Sequence, residues 1–146
     1  MEIVGTVTNL LREKDSRIWS IGPDATVYEA IELMAERNIG AVPVVAAGKL
    51  LGILSERDYT RKVILKGKSS RQTPVKEIMS TRPVTVSPDE TIAECMQLMT
   101  DERVRHLPVL ADGKLIGILS IGDVVKWVIS AQDATIDQLT KYVFGE

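Results

Sequence analysis

Apolar and polar positions recur along the chain in a pattern that is written twice. From Val27 the apolar positions fall at Val27, Ala30, Ile31 and Met34, and from Ile92 at Ile92, Cys95, Met96 and Met99. Each set is one stripe of a helix. Pro-Asp-x-Thr precedes both stripes, with Thr26 or Thr91 as N-cap and Glu29 or Glu94 three residues on, which is a capping-box signal. An apolar run containing a proline follows (Ala41–Val45; His106–Leu110), then Ala47-Gly48 or Asp112-Gly113. A second run closes the pattern (Leu50–Leu54; Leu115–Leu119), so each pair of runs predicts a hairpin. Extended segments are predicted ahead of the first helices, at Ile18–Ile21 and Val84–Val86. Second helices are predicted from Ser55 (with Val63, Ile64 and Leu65) and from Ser120 (with Val124, Val125, Val128 and Ile129).

Shifted by 65 residues, the segment 18–59 falls on 83–124 without a gap, and 17 of the 42 positions are identical. A match of that length identifies an internal duplication. The predicted fold class is α/β (α+β): two β-α-β-β-α repeats packed with pseudo-twofold symmetry. The organisation read is a first repeat with an N-terminal helical flank over 1–65, a polar linker at 66–74, a second repeat at 75–130 and a C-terminal helical flank at 131–146. The flanks are predicted helical from Val4, Val7, Leu10 and Leu11, and from Ile136, Leu139 and Val143.

Composition narrows the function classes. The chain has 146 residues, 45% hydrophobic and 26% charged, as ordinary globular domains do. No apolar run reaches the ~20 residues of a membrane span. The first ten residues carry an acid and no basic stretch, so no leader is expected and the cytoplasm is the expected compartment. The net charge of −2 argues against a duplex-binding domain. The basic stretch Arg61, Lys62, Lys66, Lys68 and Arg71 lacks interleaved aromatics and reads as a solvated helix end and linker. Cys95 is the only cysteine and is read as core. His106 is the only histidine, so no multi-histidine metal site is expected. No phosphate-binding glycine loop or Ser/His/Asp set is present, and an enzyme is not expected.

The chemistry lies in Gly-Ile-Leu-Ser-x-x-Asp, which occurs twice between a strand and a helix. In one reading Ser55 and Ser120 are helix caps, with Asp58 and Asp123 in the first turn. In the other, exposed N–H groups and a carboxylate receive a ligand, the carboxylate accepting from a ribose diol.

Pro-Asp-x-Thr, Pro-Val in the first hairpin strand, Gly-Lys-Leu-x-Gly-Ile-Leu-Ser and the following Asp, all at this spacing and all twice, resemble the CBS domain (cystathionine β-synthase type). The whole chain resembles a tandem CBS pair, or Bateman module, of the small stand-alone kind. The resemblance implies a regulatory module that binds AMP, ADP, ATP, NAD(H) or S-adenosylmethionine in clefts between the repeats and signals by conformational or oligomeric change. It implies ribose contacts from Ser55, Asp58, Ser120 and Asp123. It implies a base held among groups of the opposite repeat: Ser20, Ile39, Gly40, Ala41 and Pro43 for one site, Thr85, Val104, His106 and Pro108 for the other. It implies phosphate contacts from Arg57, Arg105 and His106. Gly40-Ala41 against Arg105-His106, and Arg57 against Gly122, make the two sites unequal in charge. No cofactor or metal is required. The implied partners are the adenine ligand, an unidentified regulated protein and a second copy of the chain. Met34, Met96, Met99 and Trp127 could supply a dimer face, with core packing the default for each. The alternative is a structural dimer that binds no ligand.

Overall fold

The two predicted hairpins are both present, β1 (Ala41–Ala46) with β2 (Lys49–Ser55) and β3 (His106–Ala111) with β4 (Lys114–Ser120), each a two-stranded sheet. Both turns use two successive positive-φ residues, Ala47-Gly48 (51° and 76°) and Asp112-Gly113 (51° and 77°). That is the twist-matched turn of a tight hairpin. The fold is that of a computed structural model, which describes residues 2–15 and 17–144; the side chains of residues 133–138, 142 and 144 also lie outside the description. The chain divides into two compact units. One holds residues 17–84 and 110–116, the other residues 1–16, 85–109 and 117–146.

In the first unit, α2 (Val27–Arg37) is capped by Thr26, whose hydroxyl accepts from the Glu29 N–H. It ends where Asn38 turns left-handed at φ 54°. Its stripe packs Val27, Ala30 and Met34 against Val42, Val44 and Leu54 of the hairpin, with Val63, Val75 and Ile78 closing the core. Each such Val, Leu, Ile or Met side chain withdrawn from water contributes ~1.5–3 kcal/mol. The predicted strand at Ile18–Ile21 contracts to one parallel bridge, Ile21 to Val44, because the chain turns away at Gly22-Pro23. The predicted second helix is also cut short. Four residues of α3 (Glu56–Tyr59) give way to a π-turn at Thr60–Ile64. The wider turn changes the phase of the stripe, so Val63 is buried while Ile64 and Leu65 stand exposed.

The linker is built into this unit. The carbonyls of Thr73 and Ser70 accept from the N–H groups of Val27 and Tyr28, two of the donors a helix start leaves unpaired. Arg71 lies over the Tyr28 ring at 4.0 Å, and Lys62 bonds the Ile78 carbonyl. Two of the five cations of the basic stretch are therefore engaged within the unit.

The second unit has the same plan with one substitution of chain. Its helix α4 (Ile92–Glu102) is capped by Thr91. The segment completing it is not the one that precedes it in sequence but the N-terminus. Gly5 O accepts from the Ile92 N–H, Val7 N–H donates to Glu90 O, and Thr8 N–H donates to Pro88 O. In the first unit Thr73, Val75 and Lys76 make the equivalent bonds to Val27, Ala25 and Pro23. The helical flank expected at Val4–Arg12 is α1 (Val7–Glu13), capped by a reciprocal Thr6–Asn9 box. The predicted strand at Val84–Val86 is again a single bridge, Val86 to Val109. The second helix and the C-terminal flank form one helix, α5 (Ile121–Phe144), of 24 residues. The flank residue Ile136 falls among the side chains outside the description.

Cys95 is fully buried, as read, and burial with Glu90 and Glu94 nearby pushes its thiol up to about 11. Met34 and Met99 are buried core residues, which removes them from any dimer face. Trp127 donates its Nε1–H to Val4 O and lies against Gly5.

Candidate functional site

Each Gly-x-x-Ser-x-x-Asp motif sits where a hairpin strand ends and a helix begins, because the serine is at once the last strand residue and the helix cap. Ser55 ends β2, directly across from Ala41 at the start of β1. Its backbone N–H and hydroxyl donate to Asp58 Oδ2 at 2.9 and 3.0 Å, and its Oγ accepts from the Asp58 N–H at 3.2 Å. Ser120 ends β4 and repeats the turn: its N–H donates to Asp123 Oδ2 at 2.8 Å, and its Oγ accepts from the Asp123 N–H at 3.1 Å. Both motifs are thus closed capping boxes, and both carboxylates are partly exposed at their rim.

The residues preceding the first hairpin strand join these turns. Gly40 O accepts from the Glu56 N–H at 3.0 Å, and Arg105 O from the Ile121 N–H at 2.8 Å. Ile39, Gly40 and Ala41 are therefore beside Ser55–Asp58, and Val104, Arg105 and His106 beside Ser120–Asp123. Each set adjoins the turn of its own repeat and not, as the resemblance implied, that of the opposite repeat, because the hairpin pairs the start of one strand with the end of the other. Pro43 and Pro108 are buried in mid-strand, where their carbonyls accept from Ile21 and Val86. Ser20 and Thr85 are the residues just before those bridges. Arg57 and Arg105 are exposed at their turns.

The two turns differ in their cations. Asp58 pairs with Lys62 one helical turn on, Nζ to Oδ1 at 3.1 Å. Asp123 pairs with Lys14, Nζ to Oδ2 at 2.6 Å, and the same ammonium donates to Ile118 O at 2.6 Å. Burial pushes the Asp123 carboxyl up, but Lys14 and the Ser120 donors outweigh it and hold it below the usual carboxylate range. His106 is pushed below its ordinary value by burial first and by the Lys14 and Arg105 charges, against the pull of Asp123. That direction favours the neutral imidazole, which suits packing there better than a phosphate counter-charge.

Two cavities adjoin the turns. One of about 550 Å³ in the first unit brings Ile39 and Gly40 to Glu56, Tyr59 and Thr60, with Met34 also lining it. One of about 200 Å³ in the second unit is lined by Lys14, Asp123, Lys126, Trp127 and Ser130. Tyr59, Glu56, Lys62 and Lys14 were not among the residues expected at a site. Lys62 was legible as an i,i+4 partner of Asp58. Lys14 lies 109 residues from Asp123 and left no local signal.

The CBS domain family matches the chain twice, over residues 11–64 and 75–130. A mitochondrial CBS domain-containing protein of Arabidopsis thaliana, CBSX3, is 40% identical over 96% of this chain and 72% of its own length. A solved structure of a protein with CBS domains from Burkholderia ambifaria superposes with a TM-score of 0.85 at 49% identity, covering 88% of this chain and 96% of that one. The hexameric CBS-CP12 protein of bloom-forming cyanobacteria superposes with a TM-score of 0.75 at 27% identity, covering 84% of this chain and 71% of that one.

Proposed function

Because the chain belongs to the CBS domain family and carries two copies of the domain, we propose that it is a regulatory module that binds adenine nucleotides or adenosyl ligands at its two Ser-x-x-Asp turns. The observation that carries this is the pair of partly exposed carboxylates, Asp58 and Asp123, each held in place by its serine at the end of a strand. A carboxylate fixed in this way can receive the two hydroxyls of a ribose without reorganising the backbone. The base then lies against the residues around the strand starts: Ser20, Ile39, Gly40, Ala41 and Pro43, or Thr85, Val104, His106 and Pro108. Arg57 and Arg105 face the phosphates, and His106 adds a neutral imidazole beside them. Ligand binding shifts the conformational or oligomeric equilibrium by its differential affinity, which alters a partner protein.

The chain acts without catalysis and without a cofactor in this reading. It works as a homodimer in the cytoplasm. The exposed stripe Ile121, Val125 and Ile129 on α5 is the apolar surface for the second copy. The hexameric relative and the mitochondrial one mark the range of assemblies and compartments to be compared.

A second reading has an observation of its own. Both motif carboxylates are already satisfied by capping bonds and ion pairs, which suits a structural module that takes no ligand. Thermal-shift measurements with AMP, ATP, NAD(H) and S-adenosylmethionine separate the two. Stabilisation that rises with ligand concentration supports the sensor. No shift with any of them at millimolar concentration supports the structural dimer.

A further inference from the structure

The ammonium on Asp123 does not come from the motif, the helix or the repeat that holds it. Lys14 is the C-cap residue of α1. That helix is fixed to the second unit by the Val7–Glu90 and Thr8–Pro88 bonds and by buried Val7 and Leu10. Lys14 therefore reaches Asp123 from an anchored base, and Ile118 O holds its ammonium at a second point.

The bonds on the carboxylates differ accordingly. Asp123 Oδ2 accepts from the Ser120 N–H and from Lys14, which fills both of its lone-pair positions. At Asp58 the matching position on Oδ2 is taken by the Ser55 hydroxyl, and the lysine there is local, more exposed, and on the other oxygen. A hydroxyl rotates away at little cost. Withdrawing an ammonium held by a carboxylate and a carbonyl breaks two charge-assisted bonds. A ribose diol that engages both oxygens of Asp123 must displace Lys14, since the Ser120 N–H is fixed in the backbone.

We propose that Lys14 is a built-in competitor at the second site: it occupies Asp123 in the empty protein, it sets the second site to a lower affinity than the first, and its release on ligand binding loosens the C-terminal end of α1. This rests on the ligand reading above and states how one of its two sites is regulated.

The test uses the full chain carrying Asp58→Ala, which confines binding to Asp123, and compares Lys14, K14M and K14R. The calorimetric probes are adenosine and 2′,3′-dideoxyadenosine, which differ only in the diol. Adenosine is expected to bind K14M on the order of tenfold more tightly than Lys14, with K14R close to Lys14. Dideoxyadenosine is expected to show no gain. Amide exchange at residues 11–14 is expected to speed up when adenosine binds the Lys14 protein. Unchanged or weaker adenosine binding in a K14M protein with normal tryptophan fluorescence overturns the competitor while leaving the ligand reading intact. Binding of neither probe by any form, the unmutated chain included, overturns both.

Discussion

The carbonyl of Gly5 accepts a hydrogen bond from the amide of Ile92 at 3.0 Å, so the beginning of the chain closes the N-terminus of a helix in the second repeat. Two observations make Gly5 hard to replace. Its φ is +120°, and a Cβ there would lie 2.6 Å from the Trp127 ring. Gly5→Ala therefore carries backbone strain and forces Trp127 to move. The expected cost is about 1–3 kcal/mol, with Trp127 emission shifted. Urea unfolding followed by tryptophan fluorescence measures it. A midpoint equal to that of the parent would mean that the N-terminal segment is not part of the second unit.

Removing charge at Asp123 has a structural consequence apart from any ligand. Asp123→Asn keeps the shape of the capping box and leaves the partly buried Lys14 ammonium without its carboxylate. Discounted for partial exposure, the loss is about 1 kcal/mol. In a Lys14→Met background most of that loss disappears, because no charge is left behind. Denaturant midpoints of the two single variants and the double variant form the cycle. Simple additivity of the two would show that the pair has no coupling in solution.

The pH dependence follows from the direction of two shifts. His106 is held below its ordinary value of 6.5 in the folded chain, chiefly by burial. The unfolded chain takes up that proton first, so stability falls as pH drops through 6.5 toward the folded value. Asp123 is held low, so its contribution persists above the ordinary carboxylate value of 3.8 and is lost only in stronger acid. Between about pH 7.5 and 5.5 the slope therefore belongs to His106. His106→Asn is expected to flatten the thermal-midpoint profile across that interval. An unchanged slope would assign it to other groups.

Assembly through α5 is tested on its exposed stripe. Ile121, Val125 and Ile129 recur at four-residue spacing and are about half exposed. Val125→Glu with Ile129→Glu is expected to give monomers in sedimentation velocity, with thermal stability little changed because neither side chain belongs to the core. A dimer that survives both changes uses another surface.

What could be read from the sequence was local. Thr26, Thr91, Ser55 and Ser120 announced themselves as caps because each bonds an amide three residues on. The hairpins followed from Ala47-Gly48 and Asp112-Gly113. Phase was harder. The π-turn at Thr60–Ile64 exposes Ile64 and Leu65, which an α-helical count places on the buried stripe. The exchanged N-terminal segment was also missed. Val7-x-x-Leu10-Leu11 does echo Val75-x-x-Ile78-Met79, but at a spacing of 68 rather than the 65 of the repeats. Lys14 was out of reach for a different reason, since its partner is set by the fold of a segment more than a hundred residues away.

In the proposed function Asp58 and Asp123 each hold a ligand. Isothermal titration of AMP into the parent chain, Asp58→Ala, Asp123→Ala and the double variant tests it most directly. Two sites per chain are expected in the parent, one in each single variant and none in the double variant, with all four folded by circular dichroism. Binding at full stoichiometry in the double variant, or no heat from the parent at millimolar AMP, would contradict it.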